Sequence, residues 1–412
     1  MKILIAAFAC SPYHGSEPGV GWAAVCRISM RHDVWVLADD ENRSGWERGA
    51  REKLIPANVH VRFLRDFKGY SENRLIARCQ SWIHYAAFSR QVLAAALAWH
   101  QEVDFDLCHQ VTIAAWRMPS PLWQLPIPFI WGPIGGAGCI PPAFRAMLSP
   151  QARTFEALRD LSTWYARRSN AFSKCITNTS VVLAANEETQ NFLIPFRGEK
   201  SMFKLNVSSI SSSKVAEFRP LCHPKREGPL RIFAGGNMVG SKGISLALKA
   251  LAIVAREQIE FHYIVAGGGP EVKAMKVLAS RLGIADKVTF HPGYSGAAYI
   301  ETLQASEVYL LPSFRETMGM TLVEAILAGC YPVVADISAQ GEIVRMLGGT
   351  AIKADTMQAM IRGLADGVLW CARNRDQLQQ LTSGFAEKIA EEFSSEQYDT
   401  ILEHCYTLTK HG

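Results

Sequence analysis

The sequence lacks several features that assign a chain to a specialised class. It has no C-x-x-C pair, no low-complexity tract and no short internal repeat. Its ten cysteines are scattered and several lie inside apolar runs, which is typical of reduced, buried thiols. The spacing of His, Cys and carboxylate residues gives no metal-binding cluster. These absences argue against a disulfide scaffold, a zinc module and a repeat protein.

Long hydrophobic runs are also missing. No stretch approaches the ~18 apolar residues needed to cross a bilayer, so we expect no membrane span and a cytoplasmic protein. The apolar run at residues 3–9 follows a single Lys and is at the lower limit of a signal sequence. We interpret it as a buried strand that leads into a loop, with a lipoprotein signal ending at Cys10 as the alternative.

Charge and aromatic residues are unevenly divided along the chain. Residues 1–200 contain 22 Lys and Arg against 17 Asp and Glu, whereas the remainder contains 21 of each class. Nine of the ten Trp also lie in the first half. A chain of 412 residues is long enough for two domains. The asymmetry predicts that the first domain meets an anionic or amphipathic partner, and no nucleic acid is expected.

Short apolar runs alternate with segments of helical periodicity from end to end. The predicted strands are KILIAAF, DVWVLA, VHVRFL, LCHQVT, PFIWGP, SVVLAA, LRIFAGG, FHYIVAGGG, KVTFHPG, VYLLPS and CYPVVAD. This alternation predicts an α/β fold with two doubly wound parallel sheets. A Ser-rich stretch at 206–230 begins the second domain, so we expect domains at 1–205 and 206–390. Residues 391–412 are predicted to form a terminal helix that packs back on the first domain.

Three glycine-containing loops follow strands of the second domain, at the position where such folds bind ligands. They are FAGGNMVGSKGI, IVAGGGPE and LPSFRETMGMTLVEA. Their candidate ligand-binding residues are Gly236, Lys242, Gly243, Gly268, Gly319 and Met320. Backbone amides at a helix start and a lysine suit phosphate groups. The second domain is therefore predicted to hold a nucleoside diphosphate.

Two glutamates lie around the last of these loops, with no other charge between them. A buried carboxylate without a partner is costly, so Glu316 and Glu324 should each meet one. We place Glu324 in or near the first turn of a helix, where it can accept hydrogen bonds from the two hydroxyls of a ribose. Glu316 precedes the helix and can reach a second sugar. The pair predicts a nucleotide-sugar site.

The chain resembles family 4 of the retaining glycosyltransferases with the GT-B fold, whose signature E-x7-E corresponds to Glu316 and Glu324. The resemblance covers nearly the whole chain and includes GG-x-x-x-x-S-K-G, AGGGPE, VTFHPG and the Phe-led terminal helix. It implies two Rossmann-like domains facing a cleft and a nucleotide diphosphate sugar as donor. We expect no cofactor and no metal, since Lys242 and a helix terminus already supply positive charge.

The resemblance also assigns roles to individual residues. Glu316 would contact the donor sugar, Glu324 the ribose and Lys242 the diphosphate. The family usually has an Arg five residues before that Lys. Here the position is Asn237, and Arg315 is the candidate substitute. The other expected donor-binding residues are Gly15, Gly19, Gly293, Tyr294 and Thr321.

The first domain resembles a bacterial polysaccharide subgroup of the family through SPYHGSEPGVGW, HQVTIAAWRMPSPLW and WGPIGGAG. This resemblance implies that His109 follows a strand and has a catalytic role near the transferred sugar. Glu17, Trp116 and Arg117 would bind the acceptor. The alternative for His109 is a loop histidine whose hydrogen bonds are satisfied by the backbone.

The expected activity is transfer of a hexose from a UDP- or GDP-sugar to a hydroxyl of a saccharide acceptor, lipid-linked, in bacterial surface polysaccharide synthesis. Retention would follow from same-face displacement, because no side chain is an obvious nucleophile. The alternatives are a nucleotide-sugar epimerase of GT-B fold and a non-catalytic, two-lobed sugar-binding lipoprotein.

Asp104 and Asp106 match the D-x-D motif of metal-dependent enzymes. They directly precede a strand, however, and we interpret them as a polar strand entry.

Residues 62–90 combine basic and aromatic residues with apolar residues at helical spacing. A helix of this pattern can simply pack its apolar stripe on a sheet. The other interpretation is that Arg65, Lys68 and Arg74 rest on an anionic membrane, which would make the protein peripheral to the membrane and bring it to a lipid-linked acceptor.

Overall fold

The computed structural model of the protein describes residues 1–13, 16–64, 74–113, 115–219, 228–353 and 355–409. The chain divides into two compact units. Unit 1 comprises Met1–Ala137, Leu161–Ser208 and Tyr398–Gly412, and unit 2 comprises Gly138–Asp160 and Ser209–Gln397.

Strands and helices alternate through the first half of the chain. The strands are β1 (Lys2–Ala7), β2 (Asp33–Asp39), β3 (Val59–Leu64), β4 (Leu107–Gln110), β5 (Phe129–Ile134), β6 (Val181–Ala184) and β7 (Met202–Lys204). The helices are α1 (Ser16–Ser29), α2 (Arg43–Arg51), α3 (Arg74–Val103), α4 (Pro150–Ala166), α5 (Asn170–Asn178) and α6 (Glu187–Arg197).

The same alternation continues through the second half. The strands are β8 (Leu230–Gly235), β9 (Phe261–Ala266), β10 (Val288–His291), β11 (Val308–Leu311), β12 (Tyr331–Ala335) and β13 (Thr350–Ile352). The helices are α7 (Ser212–Phe218), α8 (Ile244–Arg256), α9 (Val272–Arg281), α10 (Ala297–Gln304), α11 (Met320–Leu327), α12 (Ser338–Leu347), α13 (Met357–Arg373), α14 (Arg375–Glu392) and α15 (Ser395–Leu408).

Each unit is built on one parallel sheet. The order is β3-β2-β1-β4-β5-β6-β7 in unit 1 and β10-β9-β8-β11-β12-β13 in unit 2. Every strand pair in both sheets is parallel. The direction of winding reverses between β1 and β4 and again between β8 and β11, which is where doubly wound sheets bind their ligands.

Strand β1 shows why unit 1 has helices on both faces of its sheet. Its residues 3–7 are all buried, and successive side chains point to opposite faces. Ile3, Ile5 and Ala7 pack in a cluster with residues of α1 and α15. Leu4 and Ala6 pack in a second cluster that includes residues of α3. The prediction of two doubly wound parallel sheets is therefore confirmed.

The predicted division of the chain differs from the two units. Residues 138–160 lie inside the predicted domain 1–205 but belong to unit 2. The side-chain hydroxyl of Ser149 donates to Glu271 over 2.9 Å, and Glu156 pairs with Arg315. Helix α15, predicted to pack back on the first domain, contributes Tyr398, Leu402 and other residues to a unit 1 cluster. The return of α15 to unit 1 agrees with the prediction, whereas no sequence pattern marks the transfer of residues 138–160 to unit 2, because it depends on long-range contacts.

The predicted strands all form, whereas the two short strands β7 and β13 are not predicted by the sequence. Each has three residues and lies at the edge of its sheet, so neither needs the continuous apolar run of a central strand. In the described parts of the chain, no helix is long and apolar enough to cross a membrane.

Candidate functional site

Two loops of unit 2 meet at the carboxyl ends of β8 and β11. The Phe314 N–H donates to the Ser241 carbonyl over 2.8 Å. Gly243, the residue before α8, has a φ of +68°, and a Cβ there would lie 2.2 Å from the carbonyl oxygen of Pro312. Glycine is required at this position on both grounds. This close contact between Gly243 and Pro312 holds the loop that carries Lys242 against the loop that leads to Glu316.

Lys242 and Glu316 form an ion pair between these loops. The Lys242 Nζ lies 2.5 Å from the Glu316 Oε1, and the two side chains are 17% and 14% exposed. A Cβ on Gly236 would lie 3.3 Å from the same Nζ, so the glycine leaves room for the ammonium group. The Glu316 N–H donates to the Ser338 Oγ over 3.1 Å, which anchors its backbone to α12. The structure thus brings together the predicted cation and the first predicted carboxylate.

Glu324 lies near the first turn of α11, in agreement with its predicted position. Helix α11 begins at Met320 and has no acidic residue in its first turn, so Glu324 is its fifth residue and lies in the second turn. The helix dipole therefore contributes less to this carboxylate than it would within the first turn.

The carboxylate of Glu324 is held by two side chains that the sequence did not identify. Lys214 Nζ donates to its Oε1 over 2.6 Å, and the hydroxyl of Tyr299 donates to its Oε2 over 2.7 Å. Burial, and then the nearby Glu324 carboxylate, raise the pKa of Tyr299, which remains a neutral donor. Lys214 was overlooked because α7 lies in the Ser-rich stretch. The need for a counter-charge at Glu324 was the signal that could have led to it.

The amino-terminal end of α11 faces the same region. Gly319 precedes the helix with a φ of +73°, and Met320 is the first helical residue. Thr321 follows, and a Cβ on Gly235 at the end of β8 would lie 2.7 Å from its methyl group. The first N–H groups of a helix have no acceptor within the helix and attract anions. These predicted residues therefore place the start of a helix, which suits an anion, beside β8.

The missing arginine of the family pattern is not replaced by Arg315. Asn237 is exposed and carries no charge. Arg315 pairs with the buried Glu156 of α4, so its charge is already balanced within unit 2. The proposal that Arg315 supplies a second charge to a diphosphate is corrected accordingly. Gly268 lies nearby in the loop after β9, where its carbonyl accepts from the Met238 N–H over 2.8 Å.

An aromatic stack follows β10 at the predicted donor-binding residues Gly293 and Tyr294. The rings of His291 and Tyr294 are 3.8 Å apart and inclined by only 2°. The Gly293 N–H donates to the His291 Nδ1 over 3.2 Å, which fixes the turn between them. Both rings are partly exposed. A flat aromatic surface of this kind can stack on a planar base.

His109 has a structural role in unit 1. It lies within β4, has no exposed surface, and both ring nitrogens have partners. Nε2 is 2.7 Å from the Gly132 carbonyl, which can only accept, so Nε2 carries the proton and Nδ1 accepts from the Tyr406 hydroxyl at 2.8 Å. Burial lowers the pKa of His109 to about 4. The catalytic assignment is wrong, because a substrate cannot reach this ring.

Trp116 and Arg117 are also buried. Trp116 has no exposed surface and packs against Phe172 and Phe192, with ring centroids 5.3 and 4.5 Å away. Arg117 is 8% exposed and donates to the Gly136 carbonyl over 2.8 Å. The prediction that these two side chains bind an acceptor is therefore corrected. Trp and Arg in a loop suggested a ligand surface, but the loop folds them into the unit.

The remaining predicted residues of unit 1 lie around the start of α1. Glu17 is exposed, and its Oε1 accepts from the Ile113 N–H at 2.5 Å. Gly19 is inside α1 rather than in a loop, and Gly15 lies outside the described residues. The role of Glu17 as an acceptor ligand stays a prediction.

The second aspartate of the D-x-D letters is bonded to the start of β1. The Asp106 Oδ2 accepts from the backbone N–H of Lys2 over 2.7 Å, which supports the interpretation as a strand entry. No group of three or more His, Cys, Asp or Glu able to hold a metal occurs within the described ranges.

Two predictions concern the membrane: a lipoprotein anchor at Cys10 and a membrane contact in residues 62–90. Cys10 is fully buried, and its carbonyl accepts from the Trp46 indole over 2.8 Å. Arg62 pairs with Glu102 over 2.6 Å and lies over the ring of Trp99. Residues 65–73 and the side chain of Arg74 lie outside the described part of the structure, so the membrane contact predicted there is untested.

Most residues of the unit 2 site lie within a segment that known proteins share. Residues 222–378 match the family model described as glycosyl transferases group 1. These residues form a group 1 glycosyl transferase domain. Lys242, Glu316, Tyr299 and Glu324 are all inside it, whereas Lys214 precedes it.

The group 1 match extends to individual relatives over part of their lengths. The 2-deoxystreptamine glucosyltransferase of Streptomyces kanamyceticus is 32% identical over 112 residues, which is 27% of this chain and 28% of that protein. Two further curated relatives are matched over 29% and 38% of their own lengths. The chain thus spans only about a third of the length of each of these relatives.

Solved structures extend the likeness to the whole chain. WaaG, a glycosyltransferase involved in lipopolysaccharide biosynthesis, superposes with a TM-score of 0.60 at 15% identity, over 97% of this chain and 99% of WaaG. HepE of Anabaena, solved with UDP and glucose, gives a TM-score of 0.59 at 16% identity, over 99% of both chains. Together with the two parallel sheets, these likenesses confirm the GT-B fold.

Proposed function

We propose that the protein is a retaining glycosyltransferase that moves a hexose from a UDP- or GDP-sugar to a hydroxyl of a saccharide acceptor. The observation that carries the proposal is the pairing of Lys242 with Glu316 at the carboxyl ends of β8 and β11, inside the group 1 domain. Glu324 follows on α11 with its own two hydrogen-bond donors. A cation and two carboxylates in this order suit a diphosphate between two sugars.

The donor would lie across the amino-terminal end of α11. Lys242 and the N–H groups of Met320 and Thr321 would bind the diphosphate, where negative charge develops as the glycosidic bond breaks. Glu316, already within contact of Lys242, would accept from hydroxyls of the transferred sugar. The carboxylate of Glu324, oriented by Lys214 and Tyr299, would accept from the ribose.

The chemistry needs no nucleophile from the protein. The bond between the anomeric carbon and the diphosphate oxygen breaks, and a bond from that carbon to the acceptor oxygen forms on the same face. The acceptor's proton passes to the departing diphosphate, so charge and atoms balance. This scheme does not need His109, because the departing diphosphate itself serves as the base.

Similar proteins support the donor and acceptor classes. HepE is bound to UDP and glucose, and WaaG takes part in lipopolysaccharide biosynthesis. By analogy, the donor is a nucleotide sugar and the acceptor is a growing saccharide, carried on a lipid, used for a bacterial surface polysaccharide. The protein would then act in the cytoplasm, at the inner face of the membrane.

The deciding experiment is a thermal-shift panel of UDP, GDP and their sugars, followed by a transfer assay. A ligand at 100 times its dissociation constant stabilises the protein by about 2.7 kcal/mol, so the correct nucleotide should raise the melting temperature clearly. Transfer predicts release of nucleoside diphosphate only when a saccharide acceptor is added, with the donor anomer retained in the product. Interconversion of two nucleotide sugars without acceptor would instead indicate the epimerase.

Divalent metal is expected to be dispensable for this reaction. Lys242 and the α11 terminus already supply positive potential at the diphosphate. Activity should therefore persist in EDTA. Complete loss of activity in EDTA, with recovery in Mn²⁺ or Mg²⁺, would contradict this expectation. Asp104 and Asp106 would then be the candidate metal ligands.

A further inference from the structure

The carboxyl-terminal end of α4 in unit 1 presents an exposed surface that the proposed reaction does not use. Leu161, Trp164 and Tyr165 are 61%, 55% and 70% exposed. Their spacing, continued by Arg168, is i, i+3, i+4 and i+7, which places the four side chains on one face. The Arg168 N–H donates to the Tyr165 carbonyl over 3.0 Å, so the turn continues to that residue. These four residues are called the α4 surface.

Residues 161–166 of α4 belong to unit 1 and pack within it through a different face. Ala166, next to Tyr165 in the sequence, is buried in the cluster that contains Trp116 and Phe172. The α4 surface therefore points away from this core. Single exposed apolar side chains are ordinary on a protein surface, but here Leu, Trp and Tyr side chains are exposed next to one another on adjacent turns.

The aromatic and basic groups of the α4 surface are in contact. The guanidinium carbon of Arg168 lies 4.5 Å from the centre of the Trp164 ring, and its Nη1 donates to the Trp164 carbonyl over 3.2 Å. A cation over an indole keeps a positive charge beside an apolar group. Trp and Tyr have an apolar body and a polar edge, which suits the boundary between lipid headgroups and acyl chains.

Cations lie beside this surface, and the nearest carboxylate along the chain, that of Asp160, pairs with Arg145 over 2.6 Å. Residues 161–186 contain Arg167, Arg168 and Lys174 and no Asp or Glu. All three side chains are exposed, and within the described residues none of them pairs with a carboxylate. An apolar and aromatic patch beside cations without acidic partners matches an anionic bilayer surface in both its chemistry and its charge.

We propose that the α4 surface is a membrane-contact site for an anionic lipid bilayer. Leu161, Trp164 and Tyr165 enter the headgroup region, while Arg168 contacts lipid phosphates. The proposal does not depend on the glycosyl transfer reaction, and it uses residues other than those of the segment 62–90.

Vesicle co-sedimentation tests the proposal on the full-length protein. Binding should be weak on phosphatidylcholine alone, rise with the fraction of phosphatidylglycerol, and fall with salt. Leu161→Ser combined with Trp164→Ser and Tyr165→Ser should reduce the partition coefficient at least tenfold. Arg168→Gln should reduce it about fivefold on anionic vesicles.

Matched controls come from exposed residues elsewhere in unit 1. Met30 is 78% exposed and Arg31 is also exposed, so Met30→Ser and Arg31→Gln remove similar groups at another place and should leave binding unchanged. All substitutions are at exposed positions, and the melting temperature should remain at the wild-type value, which separates lost binding from lost folding.

Three results would overturn the proposal. They are absence of binding to anionic vesicles, equal binding by the wild type and the triple serine variant, and a concentration-dependent dimer that the triple variant dissociates. The last result would make the α4 surface a self-association interface. Nucleoside diphosphate binding by the triple variant, measured by thermal shift, should match the wild type whichever result is obtained, so the transfer proposal is judged separately.

Discussion

The two glutamates of unit 2 differ in the partners that hold them. Glu316 contacts a cation of the neighbouring loop, whereas Glu324 is contacted by Lys214 and Tyr299 from two other helices. A carboxylate with two donors keeps a fixed orientation and still has lone pairs for a ligand. Glu324 is therefore suited to binding, and Glu316 to the group beside the reacting diphosphate.

Substitution of the two glutamates should separate binding from reaction. Glu324→Ala should raise the donor dissociation constant about tenfold to a hundredfold, since hydrogen bonds to charged groups contribute about 1.5–3 kcal/mol. Glu316→Ala should mainly lower kcat by misplacing the sugar. Glu301→Gln, an exposed carboxylate on α10, is the control. Wild-type kinetics in both site variants would refute the donor-site assignment.

Tyr299 allows a finer test of the same carboxylate. Tyr299→Phe removes only the hydroxyl that donates to Glu324, so the carboxylate should lose orientation and the KM for the donor should rise about fivefold. The kcat should change little. Tyr331→Phe also removes a hydroxyl contact in unit 2, to Thr350, and should leave the KM unaltered. Equal KM values in both variants would exclude a positioning role for Tyr299.

Strand β4 and helix α15 are joined by a buried polar contact. The hydroxyl of Tyr406 donates to His109, and both side chains are fully buried. Around it, Arg27 pairs with Asp399 over 3.0 Å, and His32 lies 3.0 Å from Glu403. Because a buried imidazole must stay neutral, this contact links the stability of unit 1 to pH.

The pH dependence follows from the lowered pKa of His109. The unfolded chain binds a proton as the pH falls through the ordinary value of 6.5, whereas the folded chain does not until about pH 4. Stability from this group is therefore complete above pH 6.5 and is lost as the pH falls towards 4. Between pH 7 and 5 the loss should be about 2 kcal/mol.

Urea unfolding at the two pH values measures this effect. The loss should disappear in His109→Gln and persist in His60→Gln, which changes an exposed histidine of the same unit. A pH dependence that is unaltered in His109→Gln would show that the imidazole titrates normally in the folded protein.

At the level of the whole molecule, unit 1 is assembled from three separate stretches of chain and unit 2 from two. Residues 138–160 leave the first half to join unit 2, and Tyr398–Gly412 return from the carboxyl terminus to unit 1. Each unit therefore depends on residues far away in the sequence. Expression of residues 1–208 without α15 would expose the apolar cluster that Leu402 and Cys405 complete.

Leu402 tests this dependence with a small change. It is 2% exposed, so Leu402→Ala should lower the free energy of unfolding of unit 1 by about 2–5 kcal/mol. Leu408→Ala, on the same helix but 38% exposed, should have an effect below about 1 kcal/mol. The melting shift produced by a nucleoside diphosphate should persist in both variants, because the site lies in unit 2. Equal stabilities would show that α15 is not part of the core of unit 1.

The amino-acid order was enough to predict every strand except the short edge strands β7 and β13, the two parallel sheets, and the loops that carry Lys242, Glu316 and Gly319. These features depend on local patterns, namely apolar runs, helical periodicity and glycines after strands, which act within a few residues. Tertiary structure alone decided which side chains meet across long separations. Lys214 reaches Glu324, Glu156 neutralises Arg315, and His109 is closed in by Tyr406.

The wrong assignments of site residues have the same cause, namely contacts between distant parts of the chain. His109, Trp116 and Arg117 carry groups that can bind ligands, and their sequence neighbourhood does not reveal whether they are exposed. Burial results from the packing of helices that are distant along the chain, such as α15 on β4. The burial of a polar side chain is therefore a property of the assembled unit, whereas the strand that carries it is already encoded in the local sequence.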